Sequence, residues 1–485
     1  MTRRGIVFAL LAATSLAGGA ARAQELALHT VVGAALQRGS QVAHADIRVQ
    51  LAEAQARIAG GAFDWQASAR AGWSRLYYPR VQSVGGAQVL TDSLQNSWNP
   101  QITAGATKLF RNGVTVQPGI TFYPGAGASE AQTFGLTRPQ PNLNLQIPLL
   151  HAFDNSNDAA ANEQASLQEV DASRLERSAA RQQSALEMTQ TYWRCLAATE
   201  ERVALETNQR QLRAYIERQR GLAGAGRITP LALEQDTIRQ ANRDKQLDVI
   251  RIAESGCRAV LGTLLQQAGA LALPQMARAF PGMETLAAGA PRLNEAALFE
   301  QAVRNRPDLQ ALERYAGAAA TRVTAARAGL DPKVNLLIDP NGFFVTVNKS
   351  LGSNTESGML ARAEAQAREA NLKLTELRGQ IQRDISQGLA SLKRSFSALA
   401  GRKRSRDMLA QATLEARQAH QGGSMNAETL RLLEEEYADA EVQFSEAQLD
   451  CALDLAGLRL VTGTLVVEGE DAAARSAQLF QSLQF

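Results

Sequence analysis

Apolar residues recur along this chain in two registers, and the order in which the registers alternate occurs twice. Over residues 26–61 the spacing of three and four reads as a helix. From Asp64 to Leu150 the period becomes two, with Trp65, Ala67, Ala69, Ala71 and Trp73 on one parity and Gln66, Ser68 and Arg70 on the other. Helical spacing returns without a proline from Asp158 to Gly221, breaks at a glycine-rich tip over 221–229, and resumes from Pro230 to Leu264. The second pass opens with a helix over 293–329 and continues with strands at Lys333–Ile338 and Phe343–Asn348. A long helix (Gly358–Gln421), a tip (Gln421–Asn426) and a return helix (Ala427–Leu465) follow. Leu26–Asp64 lies on Leu293–Asp331 without a gap, placing Ala35 on Ala302, Ala52 on Ala319 and Ala59 on Ala326. Only five of the 39 pairs are identical, so the shared order of elements, not identity, carries the duplication.

Helix lengths set the shape. Each long helix spans roughly 95 Å at about 1.5 Å per residue, far more than a globular core uses. An opening helix and a return arm together nearly equal one long arm, so two short helices stacked end to end beside a long one make a uniform rod. The seams step three and four: Leu430, Leu433, Tyr437, Ala440, Phe444, Ala447 and Cys451 in one arm, and Leu389, Leu392, Phe396 and Leu399 in the arm opposite. Leu247, Ile250, Glu254, Cys257, Leu261 and Leu264 do the same in the first repeat. This is knobs-into-holes spacing.

The two β stretches are unequal. In the first, Ile102–Leu109 and Val114–Gln117 flank the hairpin signal Arg111-Asn112-Gly113, and Leu143–Ile147 closes the region. It holds Trp65, Trp73, Trp98, Tyr77, Tyr78, Phe122 and Tyr123. Alternating strands with aromatic girdles are what a transmembrane barrel requires; the rival reading is a soluble sandwich inserted between helices. The region is long enough for four strands. The second has room for one hairpin about Asp339-Pro340-Asn341-Gly342, where proline presets φ and glycine tolerates a tight turn.

The N-terminus supplies a compartment. Arg3 and Arg4, an apolar run from Ile6 to Leu16, and Ala21-Arg22-Ala23 before Gln24 read as a cleaved secretory leader over 1–23. Removing it takes away Arg3, Arg4 and Arg22 and no acid, so 51 basic against 48 acidic residues become a net charge of zero. No basic field remains to attract nucleic acid. His29, His44, His151 and His420 form no pair at metal-ligand spacing, and there is no phosphate-binding glycine loop and no G-x-S-x-G. The expectation is a protein that is not an enzyme and takes no cofactor or metal. Cys195 and Cys257 lie equally far from residue 226, so an antiparallel hairpin brings them to the same height. An oxidising periplasm permits a disulfide there; two separately packed thiols are the default for buried cysteines. Cys451 has Phe396 at its mirror position and stays a free thiol. The terminal Phe485 is read as part of a periplasmic belt, not as a barrel-assembly signal.

Several stretches resemble the TolC family of outer-membrane efflux proteins. They are Leu26-x-Leu28 leading into Ala34-Ala35-Leu36, Ala302 to Leu309 with its Arg306-Pro307-Asp308, Ile147-Pro148-Leu149-Leu150, and Gly262-Thr263-Leu264 with Gly463-Thr464-Leu465. Ser350-Leu351-Gly352 with Asn354 is a variant in which Ser350 replaces proline. The resemblance covers nearly all of the chain after residue 23. It implies a mainly α protein with transmembrane β structure: a duplicated helix, β-hairpin and long coiled-coil hairpin. Three copies would close one β-barrel in the outer membrane above an α-helical periplasmic tunnel. The repeats are then 24–265 and 293–465, with an equatorial linker at 266–292 and a periplasmic tail at 466–485. The implied function is an exit duct for efflux or type I secretion. It would be a homotrimer seated in outer-membrane lipid, meeting a periplasmic adaptor (membrane fusion) protein and an inner-membrane RND, ABC or MFS transporter. The implied adaptor contacts are the tips, Gly226, Arg227, Ile228, Gly423 and Ser424, and an acidic aperture falls on Glu428 and Glu435. Two features depart from the family: the spacing of those acids from the tip, and a first β region longer than the usual two strands. A soluble periplasmic coiled-coil adaptor or scaffold is the alternative from another class.

Overall fold

The computed structural model describes residues 26–84, 87–123, 139–150, 157–265, 280, 282–287, 293–340, 342–466 and 471–479, with side chains of 74–99 left out. The leader at 1–23, most of the linker and Phe485 lie outside the described residues. So do the side chains of Tyr77, Tyr78 and Trp98.

Each repeat opens with two helices where the spacing suggests one. In the first, α1 (Leu28–Arg38) gives way to α2 (Ser40–Gly60). The break falls at Gly39, where a Cβ would overlap Ser184 Oγ, whose hydroxyl donates to the Ala35 carbonyl at 3.1 Å. In the second, the helices Glu295–Asn305 and Pro307–Ala328 part at Arg306. Here the cause is local, because Pro307 lacks an N–H and pushes the preceding residue out of the helical region. Gly39 and Arg306 are aligned by the ungapped repeat, so one architectural break is made by two different means.

Four strands follow α2: β1 (Gln66–Val84), β2 (Ala87–Leu109), β3 (Thr115–Phe122) and β4 (Gln140–Pro148). Then come α3 (Asp158–Gly224) and α4 (Pro230–Leu264), a short α5 (Met283–Ala287), and the helices just given, α6 (Glu295–Asn305) and α7 (Pro307–Ala328). The chain closes with β5 (Lys333–Asp339), β6 (Gly342–Asn348), α8 (Asn354–Gln421), α9 (Ala427–Val461) and α10 (Ala472–Leu479). All six strands form one antiparallel sheet in the order β1-β2-β3-β4-β5-β6. No helix among the described residues is long and apolar enough to cross a membrane.

Below the sheet the wall is one helix thick. α2, α3, α7 and α8 lie side by side near the sheet; farther away α4 and α9 replace α2 and α7 beside the same long helices. The end of α9 abuts the start of α7: Arg306 Nη1 donates to the Val461 carbonyl at 3.4 Å. Gly463 sits at φ +71°, where a Cβ would lie 2.8 Å from the Asn305 carbonyl. The matching Gly262-Thr263-Leu264 forms the last three helical residues of α4, whereas Gly463-Thr464-Leu465 lies beyond the end of α9. Among the described residues the larger hydrophobic core lies at this waist, and a small one of Leu212, Tyr215 and Ile216 lies nearer the tips. Trp193, Leu196, Leu261, Leu309, Ile381, Leu392 and Leu455 meet at the waist under α1 and α5, and the Trp193 ring stacks on Phe280 with centroids 5.4 Å apart.

α9 buries two stripes. Ala440, Phe444, Ala447 and Cys451 are the expected seam, but Arg431, Ala438, Ser445, Ala452 and Arg459 are buried as well, seven residues apart. The second stripe turns toward α3: Ser445 Oγ donates to Glu200 at 3.0 Å, and the Arg431 guanidinium lies 5.6 Å from the Tyr215 ring centre. The small residues in the middle of this heptad, Ala438, Ser445 and Ala452, let the two hairpins approach closely, and arginines occupy its two ends. Burial pushes the Cys451 thiol up to about 12, which keeps it protonated and inert.

Cys195 and Cys257 are joined as a disulfide between α3 and α4, with Cα atoms 5.6 Å apart. The cross-link closes a long loop, worth roughly 4 kcal/mol by chain entropy. Mass spectrometry of the non-reduced, alkylated protein is expected to recover the two cysteines as one cross-linked peptide and Cys451 as the single free thiol. Alkylation of Cys195 and Cys257 without prior reduction would mean that the bond does not form.

Candidate functional site

The two hairpin tips are built to one plan. α3 ends with Ala223 and Leu222 accepting from the N–H groups of Gly226 and Arg227, both at 2.9 Å. α8 ends with His420 and Ala419 accepting from Gly423 at 3.1 Å and Ser424 at 2.9 Å. This paired closure needs a left-handed residue, and glycine supplies it at φ +68° for Gly226 and +78° for Gly423. Three residues later Thr229 and Asn426 cap the return helices through Ala232 N–H and Thr429 N–H. Pro230 begins α4 at a position where its missing N–H is harmless. Nothing approaches within 4 Å of a Cβ built at either glycine. Arg227 and Ser424 are exposed and Ile228 is half-buried, so the tips present mostly backbone and short side chains to a partner.

One step above the tips the hairpins are tied by a buried guanidinium. Arg243 of α4 is 5% exposed and pairs with Asp439 at 2.7 Å and Glu435 at 3.3 Å, both on α9. Glu435 also receives Arg431 at 2.8 Å. Of the two acids read as an aperture, Glu428 is therefore exposed, whereas Glu435 is held between two arginines. Sequence reading missed Arg243, Arg431 and Asp439. A signal existed for Arg243: extending the α4 seam by four from Leu247 lands on it, and a charge at a seam position asks for a partner across the interface.

Between tips and waist a cleft of about 1020 Å³ separates the hairpins, lined by Arg202, Arg417, Glu434, Tyr437, Glu441 and Phe444 among others. Beside it Glu201 is 9% exposed. Burial, then the like charges of Glu446 and Glu200, push its carboxyl up to about 7.

At the opposite end the sheet has two unlike faces. Directly paired residues share a face, and the register runs Ala69–Ala104–Ile120–Pro141 and Ala71–Ile102–Phe122 across the first strands. Ile147–Leu336–Val345 continues this apolar face across the last. On the other face run Arg70–Thr103–Thr121–Gln140, Ser68–Gly105–Gly119–Asn142 and Asn335–Thr346; Leu109, Pro148, Leu337 and Phe344 are apolar exceptions near the helical end and in the second hairpin. The apolar face is bare: Trp73 is 71% exposed and Phe343 81%. Near the helical end Lys108 lies 5.9 Å from the Trp65 ring centre and 5.8 Å from that of Phe110, an amphipathic cluster of the kind found at a membrane–water boundary. In the turn beyond, Arg111 grips Glu163 of α3 at 2.6 Å.

No protein-family profile matches the chain. A pyoverdine export outer membrane protein (OpmQ) of Pseudomonas putida is 24% identical over 356 residues, covering 68% of this chain and 73% of the relative. Among solved structures, the outer membrane protein VceC of Vibrio cholerae superposes with a TM-score of 0.61 at 18% identity, over 90% of this chain and 96% of that one. The CmeC outer membrane channel of Campylobacter jejuni gives 0.64 at 14%, over 94% and 89%. The open state of the MtrE outer membrane channel of Neisseria gonorrhoeae gives 0.62 at 16%, over 90% and 88%. The duplicated helical wall and its sheet are the shared fold.

Glu201 yields a pH dependence. Its folded-state pKa lies above the ordinary value of 4.5, so the folded protein holds this proton more tightly than the unfolded chain. The associated stability is present below about 4.5 and is lost as pH rises to about 7. Glu201→Gln is expected to leave stability unchanged near pH 4 and to raise it by about 3 kcal/mol at pH 8, read from urea midpoints at the two pH values. Equal midpoints for both proteins at pH 8 would contradict this.

Proposed function

We propose that this chain, which has the fold of the outer-membrane channels, is the outer-membrane exit duct of an efflux or type I secretion system. The observation that carries the proposal is a single chain whose sheet is apolar and bare on one face and polar on the other, continuous with helices of 67 and 68 residues. The first face suits lipid, the second a water-filled lumen, and the helices a conduit that crosses the periplasm. Three copies would close both layers, because a lone chain leaves strand edges and helix flanks unpartnered. The tips would meet a periplasmic adaptor, with an inner-membrane RND, ABC or MFS transporter supplying the energy. A soluble adaptor or scaffold has no use for a bare apolar sheet face. Extraction separates the two readings, since the duct should be recovered as a detergent-requiring trimer and the adaptor from a periplasmic wash.

Replacing Gly226 and Gly423 with tryptophan should abolish export of a pumped dye while trimers still accumulate in the outer membrane. The side chains would intrude where an adaptor backbone approaches, and left-handed φ adds strain of about 1 kcal/mol at each site. Undiminished export by the double variant would remove the tips from the docking role.

The aperture reading now falls unequally on its two acids. Glu435 is neutralised by Arg243 and Arg431, whereas Glu428 faces solvent one turn above the second tip. In single-channel recordings Glu428→Gln should reduce cation selectivity more than Glu435→Gln does; unaltered selectivity in both variants would leave these carboxylates as ordinary surface charge.

A further inference from the structure

The long first β region contributes two strands more than a four-stranded protomer needs, and the pairing pattern says what they do. The base of the β1–β2 hairpin shares the sheet's two-faced character: Ala69 and Ala71 continue the apolar face of Ile120 and Phe122, while Ser68 and Arg70 continue the polar face. A hairpin lying outside the wall would have no reason to keep that alternation in register. Beyond Ile102, β2 runs on past the end of β3, still paired with β1 as far as Val84 and Ala87. Among the described residues the hairpin is thus wall at its base and a two-stranded ribbon at its outer end.

The sheet also carries the stagger of a barrel. One pairing line runs Lys108–Val116–Leu145–Ile338–Phe343. Lys108 is one residue from the helical end of β2, Leu109, and Phe343 is five from the helical end of β6, Asn348. Four strand steps therefore climb four residues. One residue per step, with about 3.3 Å per residue and about 4.8 Å between strands, is a tilt of about 35°, within the range of closed transmembrane barrels. Width agrees as well. Six strands at this tilt cover an arc of about 35 Å, and the four helices beneath them, spaced about 9 Å apart, cover about 36 Å. Four strands would cover only about 23 Å.

We infer that the free edge of β6 pairs with the base of β1 in a second copy of this chain, so that three copies close an 18-stranded barrel about 34 Å across. This rests on the trimeric exit-duct reading. An even number of strands makes β6 antiparallel to the incoming β1, so the alternation passes unbroken from copy to copy. Continuing the stagger brings Val345 level with Ala69 or Ala71 of the neighbouring copy, apolar face to apolar face. At the same tilt a ring of twelve strands would be about 23 Å across, so the two additional strands widen the exit. In a twelve-stranded ring β6 would pair instead with β3, whose second edge β2 already occupies.

The test is cysteine cross-linking of the full-length protein in outer membranes. Val345→Cys combined with Ala69→Cys or Ala71→Cys should yield covalently linked trimers on non-reducing gels in at least one combination. Linkage of Val345→Cys to Ile120→Cys, or trimers in which neither β1 position links, would overturn the 18-stranded closure and leave the exit duct intact. Recovery of the protein only as a monomer would overturn both. A second measurement avoids double substitution: a fluorophore on Ala69→Cys should be quenched by a lipid-tail quencher as strongly as one on Leu143→Cys. Quenching of the Ala69 label no stronger than that of a label on polar-face Ser68→Cys would place the hairpin outside the lipid-facing wall and overturn the inference.

Discussion

A wall one helix thick has no interior, and most of this structure answers that constraint. A helix in a globule needs one apolar stripe; a helix in a single-layer wall needs one on each flank. α9 meets the demand with an aliphatic and aromatic seam toward α8 and a second heptad toward α3, small at Ala438, Ser445 and Ala452 and closed by Arg431 and Arg459. Small residues suit the second seam because helices in a thin layer are held by close backbone approach more than by bulk. At the waist, where α1, α5 and α10 add a further layer, large side chains such as Trp193 and Phe280 are buried.

The same constraint moves charge into the seams. With few apolar contacts per turn below the waist, register within and between the hairpins is held by ion pairs instead: Arg202 with Glu254 at 2.7 Å within the first hairpin, and Arg243 with Asp439 and Glu435 between hairpins. A guanidinium as buried as that of Arg243 is expensive to leave unpaired, which makes the contact between the hairpins specific in register. The Arg243 pairs cross from one hairpin to the other between tips and waist, so a change in hairpin spacing would have to break them. The disulfide between Cys195 and Cys257, by contrast, ties α3 to α4 within one hairpin, so it stiffens the hairpin as a unit without restraining the separation of the two.

The duplication is one of architecture, with the local means free to vary. Gly39 and Arg306 break the opening helices at aligned positions, one through a close approach by Ser184 and the other through the following proline. Gly262 and Gly463 do the reverse, because the same three-residue motif forms the last helical residues of α4 in one repeat and follows the end of α9 in the other. The β regions diverge most, with four strands in the first repeat and two in the second. The polar and apolar faces are nevertheless kept in phase across all six.

Much was decided by local chemistry and so could be read from the chain. The return arm Pro230–Leu264 begins where its spacing says, because the left-handed Gly226, the N-capping Thr229 and Pro230 act on their own neighbours. The tips at Gly226 and Gly423, the turn at Gly113 and the alternation in β1 are local in the same sense. The helix break at Gly39 was not legible, since it depends on Ser184 arriving from α3. Nor was the state of Cys195 and Cys257: sequence symmetry sets their height along the hairpin, but helix rotation decides whether the sulfurs meet. The Arg243 network and the joining of β1 through β6 in one sheet likewise require elements distant in the chain to be brought side by side. Periodicity reports which residues share a face; only tertiary packing determines what that face meets.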